Sequence, residues 1–440
     1  MDPVQTLSLA LLALALILAI WRRINIGLLA LAATFVLALT AHLTAEDVYE
    51  AFPGSIFVLL VGVSLLFGHL ERSGALTWFV DRVYRLIGER THLIPWAGFL
   101  IGAVLSSLGA FATAPITLLV PTIAHLSRRF PRSFLISELA VVIGANSAGL
   151  SPLNPAGAVI RKVADQHHIS YQPWLIWALS LAMAAAVVLV LQIGLARFRG
   201  PAAGQNPQDI AADAQPYTRP LVIVDEDAAR GLRPAYAITA AASLLVFVLF
   251  VVFAKTDVGL TAVALVIVLQ LLFRPEEKKL LRSVPWPSVL LLCGLLTYLG
   301  ALQSIGTMDT IQAGLESTGS QVLLVFLLAY MTAALCNIES STLGVLGLVM
   351  PLVFSAFGEN PALTWVLAAV AAPATLTVMN PIHVAGTLII SYTDERDQQA
   401  LFRRLLALSL GITCVAPGLA AIVPATRAAR MDVLKAIQTD

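Results

Sequence analysis

The chain is 440 residues long, 58% hydrophobic and only 12% charged, with a net charge of +1 and a mean hydropathy of +0.86. Soluble domains carry about 25% charged residues, so this composition cannot cover a water-facing surface. The near-neutral balance, without a basic run, excludes a nucleic-acid partner.

Spanning a bilayer takes about 20 mostly apolar residues. Such runs fall at 4–20, 24–42, 55–70, 93–126, 133–160, 173–195, 234–254, 257–273, 285–305, 321–357, 361–391 and 401–424. The first has Arg22 and Arg23 after it rather than before it, opposite to a secretory signal, and reads as an uncleaved helix. Runs 93–126 and 321–357 are too long for one crossing and carry Gly, Ser, Thr or Pro near their middles. They are expected to be re-entrant helix–break–helix hairpins that enter and leave on one side. With hairpins there and the Arg22–Arg23 loop in the cytoplasm, Arg72, Arg128, Arg129, Arg132, Arg274 and Lys278 all fall inside. Arg161, Lys162 and Lys255 stay outside, as does the basic tail (Arg427, Arg430, Lys435), the one misfit to the excess of Lys and Arg in cytoplasmic loops. The polar stretch 196–233, rich in Ala, Gln, Pro and Asp, reads as a flexible cytoplasmic linker.

An internal repeat is visible. Gly62, Gly68 and Gly74 recur as Gly294, Gly300 and Gly306, each at an offset of 232. Pro121 recurs as Pro351 at 230, and Ser151-Pro152 and Gly157 as Asn380-Pro381 and Gly386 at 229. The matched spans run in opposite directions, a pattern of secondary transporters with broken helices and a substrate site near the midplane. The fold expected is an all-α polytopic membrane protein: two inverted-topology repeats, about 10 spanning helices and two re-entrant hairpins. Its parts would be a helix pair (1–54), repeat 1 (55–195), the linker (196–233), a further helix pair (234–284), repeat 2 (285–425) and a tail (426–440).

The chemistry is expected at four breaks: the hairpin tips Ser106–Pro115 and Cys336–Gly344, and the interrupted spans Gly144–Gly157 and Ala372–Gly386. Unwound backbone survives in a membrane only where protein buries it or a wet cavity receives it. A helix start offers amides to an anion and a helix end offers carbonyls to a cation. No Arg or Lys lies in these segments. Glu339 is the sole carboxylate near either tip and has two readings: a group that carries a coupling proton or Na⁺, or a side chain solvated in a vestibule. His383 reads as a hydrogen-bonded structural histidine, and His167 and His168 as solvated loop residues. The acidic pairs Glu46-Asp47 and Asp394-Glu395 are placed in loops at membrane exits. Cys293, Cys336 and Cys414 lie in apolar stretches without metal-ligand spacing and read as packing residues. The chain holds no phosphate loop, zinc cluster or nucleophile elbow, so no enzyme and no cofactor is expected beyond a coupling Na⁺ or H⁺.

The stretches NIGLLALAATFV, FPGSIFVLLVGVSLLFGHLERSGAL, LIPWAGFLIGAVLSSLGA, GANSAGLSPLNPAGAVI and VPWPSVLLLCGLLTYLGALQSIGT resemble the malonate/dicarboxylate carrier family called MatC, over about residues 20–425. That family lies in the ion transporter superfamily with the divalent anion–sodium symporters. The resemblance implies cation-coupled symport of a small dicarboxylate such as malonate, by alternating access, in a homodimer of the inner membrane. Relatives carry Ser-Asn-Thr motifs at the tips; their counterparts for substrate are Ser106, Ser107 and Thr113, then Ser340, Ser341 and Thr342, a Ser-Ser-Thr. Asn154, Pro155, Asn380 and Pro381 complete the substrate set. Asn146, Ser147, Ser151, Glu339, Thr375 and Thr377 form the cation set. The first tip departs from the full motif, and Glu339 is not a family feature. Two further readings stay open: an exporter or antiporter of another anion, or of arsenite, and a membrane part of an ABC assembly. The last is suggested only by VPATRAARMDVLKAIQTD at 423–440, which resembles the tail of MacB/FtsX-like permeases.

Overall fold

The computed structural model describes residues 2–22, 24–87, 90–127, 134–197, 234–316, 320–338, 342–393 and 395–438. The described residues are helical, with no strand. In the first half these are α1 (Pro3–Arg22), α2 (Ile26–Ala41), α3 (Ala45–Glu50), α4 (Gly54–Arg72), α5 (Ala75–Ile87), α6 (Ile94–Ser107), α7 (Thr113–Ser127), α8 (Phe134–Ala148), α9 (Pro155–Gln166) and α10 (Pro173–Arg197). The second half has α11 (Pro234–Val252), α12 (Val258–Phe273), α13 (Glu277–Leu281), α14 (Trp286–Ser304), α15 (Thr307–Glu316), α16 (Gln321–Ile338), α17 (Thr342–Phe357), α18 (Leu363–Leu376), α19 (Val384–Ser391) and α20 (Glu395–Gln438). Among the described residues, seven helical segments are long and apolar enough to cross a membrane, from Ala45–Arg72 to Glu395–Pro424. The chain is an all-α polytopic membrane protein.

Run 93–126 is divided as its glycine suggested. At a rise of about 1.5 Å per residue, α6 and α7 are each about 21–23 Å long, short of the roughly 30 Å hydrocarbon core. The turn between them passes through Gly109 at φ +116, a region open to glycine at little cost. Gly109 also faces the Leu153 carbonyl, 3.1 Å from where a Cβ would stand. The two arms then pack on each other. In run 321–357 the arms are α16 and α17, and α16 is by itself long enough to cross. Glu339, Ser340 and Ser341 lie between them, outside the described residues.

Three local expectations are corrected. Glu46 and Asp47 do not lie in a loop but open α3, where Thr44 caps Asp47 and Asp47 caps Thr44 in return. Glu395 likewise opens α20, while Asp394 lies outside the described residues. The tail is no separate element as far as Gln438, because α20 runs through Pro417 and Pro424 to that residue. Cys293 and Cys336 are packing residues, whereas Cys414 is exposed on α20. Of the linker, all but its first two residues lies outside the described chain.

The offset of 232 extends to the helices ahead of the glycine pattern. Asn25 and Asp257 cap α2 and α12 with their side chains, and His42 and Arg274 end them in the left-handed region. Gly74 and Gly306 adopt φ 75 and φ 70. The helices also pair crosswise: α2 crosses α14, and α12 crosses α4. A Cβ on Gly27 would stand 2.0 Å from the Leu290 carbonyl oxygen, and one on Gly294 2.1 Å from the Gly27 carbonyl oxygen. Equivalently, a Cβ on Gly259 would meet Leu59 N at 2.7 Å, and one on Gly62 the Gly259 carbonyl oxygen at 2.8 Å. Small residues let helix backbones approach this closely where lipid gives no hydrophobic drive for association.

Candidate functional site

The first break is held by two side chains. Asn154 caps α9 by accepting from Ala156 N, and its amide donates to the carbonyls of Ser106 (2.8 Å) and Ala110 (2.7 Å). Ser151 donates to the Ser107 carbonyl at 2.7 Å. The end of α6 thus gains a donor for the Ser107 carbonyl and a second donor for the Ser106 carbonyl, which already accepts from Gly109 N. Gly157 lets α9 fold back on this loop, since a Cβ there would stand 2.1 Å from the Ser151 carbonyl oxygen. Trp177 of α10 donates to the Ser107 hydroxyl at 2.9 Å. The Ser106 hydroxyl is fully buried and has no partner.

The second break repeats this construction with different side chains. Asn380 matches Ser151 at the offset of 229, and its amide donates to the Asn337 carbonyl (3.1 Å) and side chain (3.0 Å). His383 matches Asn154 at the same offset and caps α19, its Nδ1 accepting from Ala385 N at 3.4 Å. Gly386 meets the Asn380 carbonyl oxygen as Gly157 meets that of Ser151. The histidine therefore has the structural role expected of it. Behind each break a serine of the following long helix donates to a helix-end carbonyl: Ser180 to Ser147 at 3.1 Å, and Ser409 to Thr377 at 3.2 Å. Ser409 shares that proton with the Asn337 side-chain oxygen, and the Asn337 amide donates to Thr413 at 2.6 Å.

The breaks meet at Ser147 and Thr375, whose buried hydroxyls lie 3.0 Å apart. Thr375 spends its proton on the Ala372 carbonyl at 2.7 Å, which leaves Ser147 as donor. Thr377 likewise donates to the Ala374 carbonyl at 2.9 Å. Both threonine oxygens keep lone pairs that can face a cation. Helices α7, α9, α17 and α19 all start at breaks; α7 packs on α19 and α9 on α17. Each of these starts carries partial positive charge without a basic side chain in its first turn.

Not every expected residue joins this arrangement. Asn146 donates to the Val142 carbonyl of its own helix at 2.9 Å. Thr113 is exposed at the start of α7, and Thr342 is half-buried at the start of α17. Pro155 and Pro381 are buried and shape the loops. Ser180, Ser409, Trp177 and Thr413 were missed, since each sits in an unbroken apolar run; Asn337 lies inside the named tip segment Cys336–Gly344 but was not singled out. The offset of 229 between Ser180 and Ser409 was the signal that could have found two of them. His167 is not simply solvated: its ring stacks on Phe354 at 6.2 Å, while His168 is exposed. Among the described residues no cluster of His, Cys, Asp and Glu could hold a metal ion.

Residues 2–149, from α1 to the start of the first break, match the family described as dicarboxylate carrier protein MatC N-terminus. The match covers the N-terminal third of the chain. This stretch contains Ser106, Ser107, Asn146 and Ser147. Over most of its length the chain is similar in fold to the YdaH transporter of Alcanivorax borkumensis, whose crystal structure is described as having an unusual topology. The TM-score is 0.55 at 15% identity, covering 85% of this chain and 86% of that one. At that identity the likeness is one of fold. No curated protein matches the sequence. The chain is thus a polytopic membrane protein whose N-terminal third is similar to the N-terminal domain of dicarboxylate carrier proteins.

Proposed function

We propose that the chain is a secondary transporter of small dicarboxylates, malonate-like, that couples uptake to Na⁺ or H⁺ and works by alternating access. The reading includes two inverted-topology repeats, α1–α10 and α11–α20, each with a re-entrant hairpin (α6–α7 and α16–α17). The observation that carries it is the meeting of two helix breaks at Ser147 and Thr375, deep in the protein. Helix starts around that point favour a carboxylate, and helix ends with threonine oxygens favour a cation. Ser106 supplies a buried hydroxyl without a partner beside the same loops. Substrate contact is assigned to Ser106, Ser107 and the Ser340–Thr342 segment, and cation contact to Ser147, Ser151, Thr375 and Thr377. A homodimer in the inner membrane belongs to the same reading. Export of another anion would use the same architecture in the opposite direction.

The test is uptake of radiolabelled malonate into proteoliposomes under imposed Na⁺ or proton gradients, for wild type, Ser106→Ala and Ser341→Ala. Gradient-driven uptake that both variants reduce at least tenfold is the expected result. Silence of the wild type toward malonate, succinate, malate and tartrate under both gradients would overturn the dicarboxylate reading.

A further inference from the structure

A second polar cluster lies outside the breaks, in the contact between α5, α6, α7 and α8. Glu138, just past the first turn of α8, is fully buried, and neither carboxyl oxygen has a hydrogen-bond partner. The hydroxyls of Tyr84 on α5 and Ser137 on α8 are also buried and unpartnered. Gly98 of α6 marks where the elements converge: a Cβ there would stand 2.7 Å from Val141, 3.1 Å from Ile123 and 3.4 Å from the Tyr84 hydroxyl. Glu138 precedes Val141 by one helical turn and so shares its face. Tyr84 and Glu138 lie close enough to act on each other electrostatically.

The internal repeat gives a control. At the offset of 229, the counterpart of Glu138 is Leu367 in α18, also fully buried. The fold therefore accepts a leucine at this place, and the carboxyl group in the first half is not required by packing. An unpaired carboxylate in such surroundings loses its hydration with nothing in return, whereas the protonated acid is tolerated and can donate. Among the described residues, the helices around it carry few other ionisable groups; besides Tyr84, α5 has Asp81, Arg82 and Arg85. On α5, Asp81 lies one turn before Tyr84 and is paired with Arg85 at 3.7 Å. Helices α6 and α18 carry no ionisable residue; α10 has only Arg197 at its end, and α7 only His125 near its end.

We infer that Glu138 is a proton-binding site: a carboxylic acid sealed between α5, α6 and α8 in this conformation, which gives up its proton when that contact opens to water. Tyr84 is the partner that turns toward it as the proton moves. Its part in coupling rests on the transport function proposed above; the bound proton does not.

The test is infrared difference spectroscopy between acid and alkaline buffers on the full chain in liposomes, for wild type, Glu138→Gln and Glu138→Leu. The leucine variant copies the other repeat and guards against simple misfolding. The expected result is a protonated-carboxyl band at neutral pH in wild type that both variants lack and Tyr84→Phe shifts in frequency. A wild-type spectrum without that band, or an unchanged band in both variants, would overturn the inference. In the transport arm, both variants should abolish malonate uptake driven by a proton gradient while leaving malonate–malonate exchange within twofold of wild type. If the wild type moves no malonate at all, the transport reading fails, and the infrared result still decides whether Glu138 holds a proton.

Discussion

Ser147 and Thr375, far apart in the chain, join the two helix breaks through one buried hydroxyl–hydroxyl hydrogen bond of 3.0 Å. Thr375 is already a donor to its own helix, so the pair has a direction, from Ser147 to Thr375. Ser147→Ala and Thr375→Val should each lower stability. The double variant should lose less than the sum by about 1 kcal/mol, the net worth of one such bond. Thermal unfolding of the four proteins in one detergent measures this, and strict additivity would show that the two breaks are not coupled there.

Asn154 serves both the start of α9 and the end of α6. Asn154→Ala removes a cap, leaves the Ala110 carbonyl without its side-chain donor and takes the second donor from the Ser106 carbonyl, which still accepts from Gly109 N, at a cost of about 2 kcal/mol. Asn154→Ser keeps the cap but cannot reach both carbonyls, so its unfolding midpoint should fall between wild type and alanine. Equal midpoints for the two variants would mean that the carbonyl contacts contribute little.

The crosswise glycine contacts predict a sharp position dependence. Gly27→Ala and Gly294→Ala place a methyl group against backbone atoms at 2.0 and 2.1 Å. Neither helix can yield without shifting, and a loss of about 3 kcal/mol or more is expected. Gly411→Ala, in α20, meets nothing within 4 Å. It should be neutral or stabilising by up to about 1 kcal/mol through helix propensity. Yield of folded protein by size-exclusion chromatography and the unfolding midpoint distinguish the two classes.

In the polar turn between α12 and α13, the Lys279 ammonium lies 3.0 Å from the Glu276 carboxylate, one helical turn away. The hydrogen bond from Lys279 first, and then the positive charges of Lys279, Arg72 and Arg282, hold the Glu276 acid below its usual value of 4.5. A lowered folded value means that the unfolded chain takes up the proton first. The stabilisation is complete above the usual glutamate value and fades as pH falls through the lowered one. A carbon-13 titration of Glu276 in Lys279→Ala should move the midpoint back up toward 4.5; an unmoved midpoint would refute the assignment.

Much of the architecture can be read in the sequence because its causes are local. Hydropathy marks the apolar runs. Gly109 and Asn380-Pro381 interrupt helices and Pro155 opens one by their own backbone chemistry, and the offsets of 232 to 229 align the halves. The tips were named from those breaks, so Ser106, Ser107, Ser151 and Asn154 were found. Ser180 and Ser409 were not, because polar residues inside a continuous apolar run carry no local mark, and Asn337, though within the named second tip, was not singled out.

What the sequence by itself determined is where helices begin and end, which follows from residues within a few positions of one another. Tertiary structure alone decided that α2 lies on α14 and α12 on α4, that Ser147 meets Thr375, and that Glu138 is closed off where its repeat partner is Leu367. Those outcomes depend on which surfaces fit together between distant parts of the chain, and backbone approach at a glycine or loss of water at a carboxylate exists only once the helices have packed.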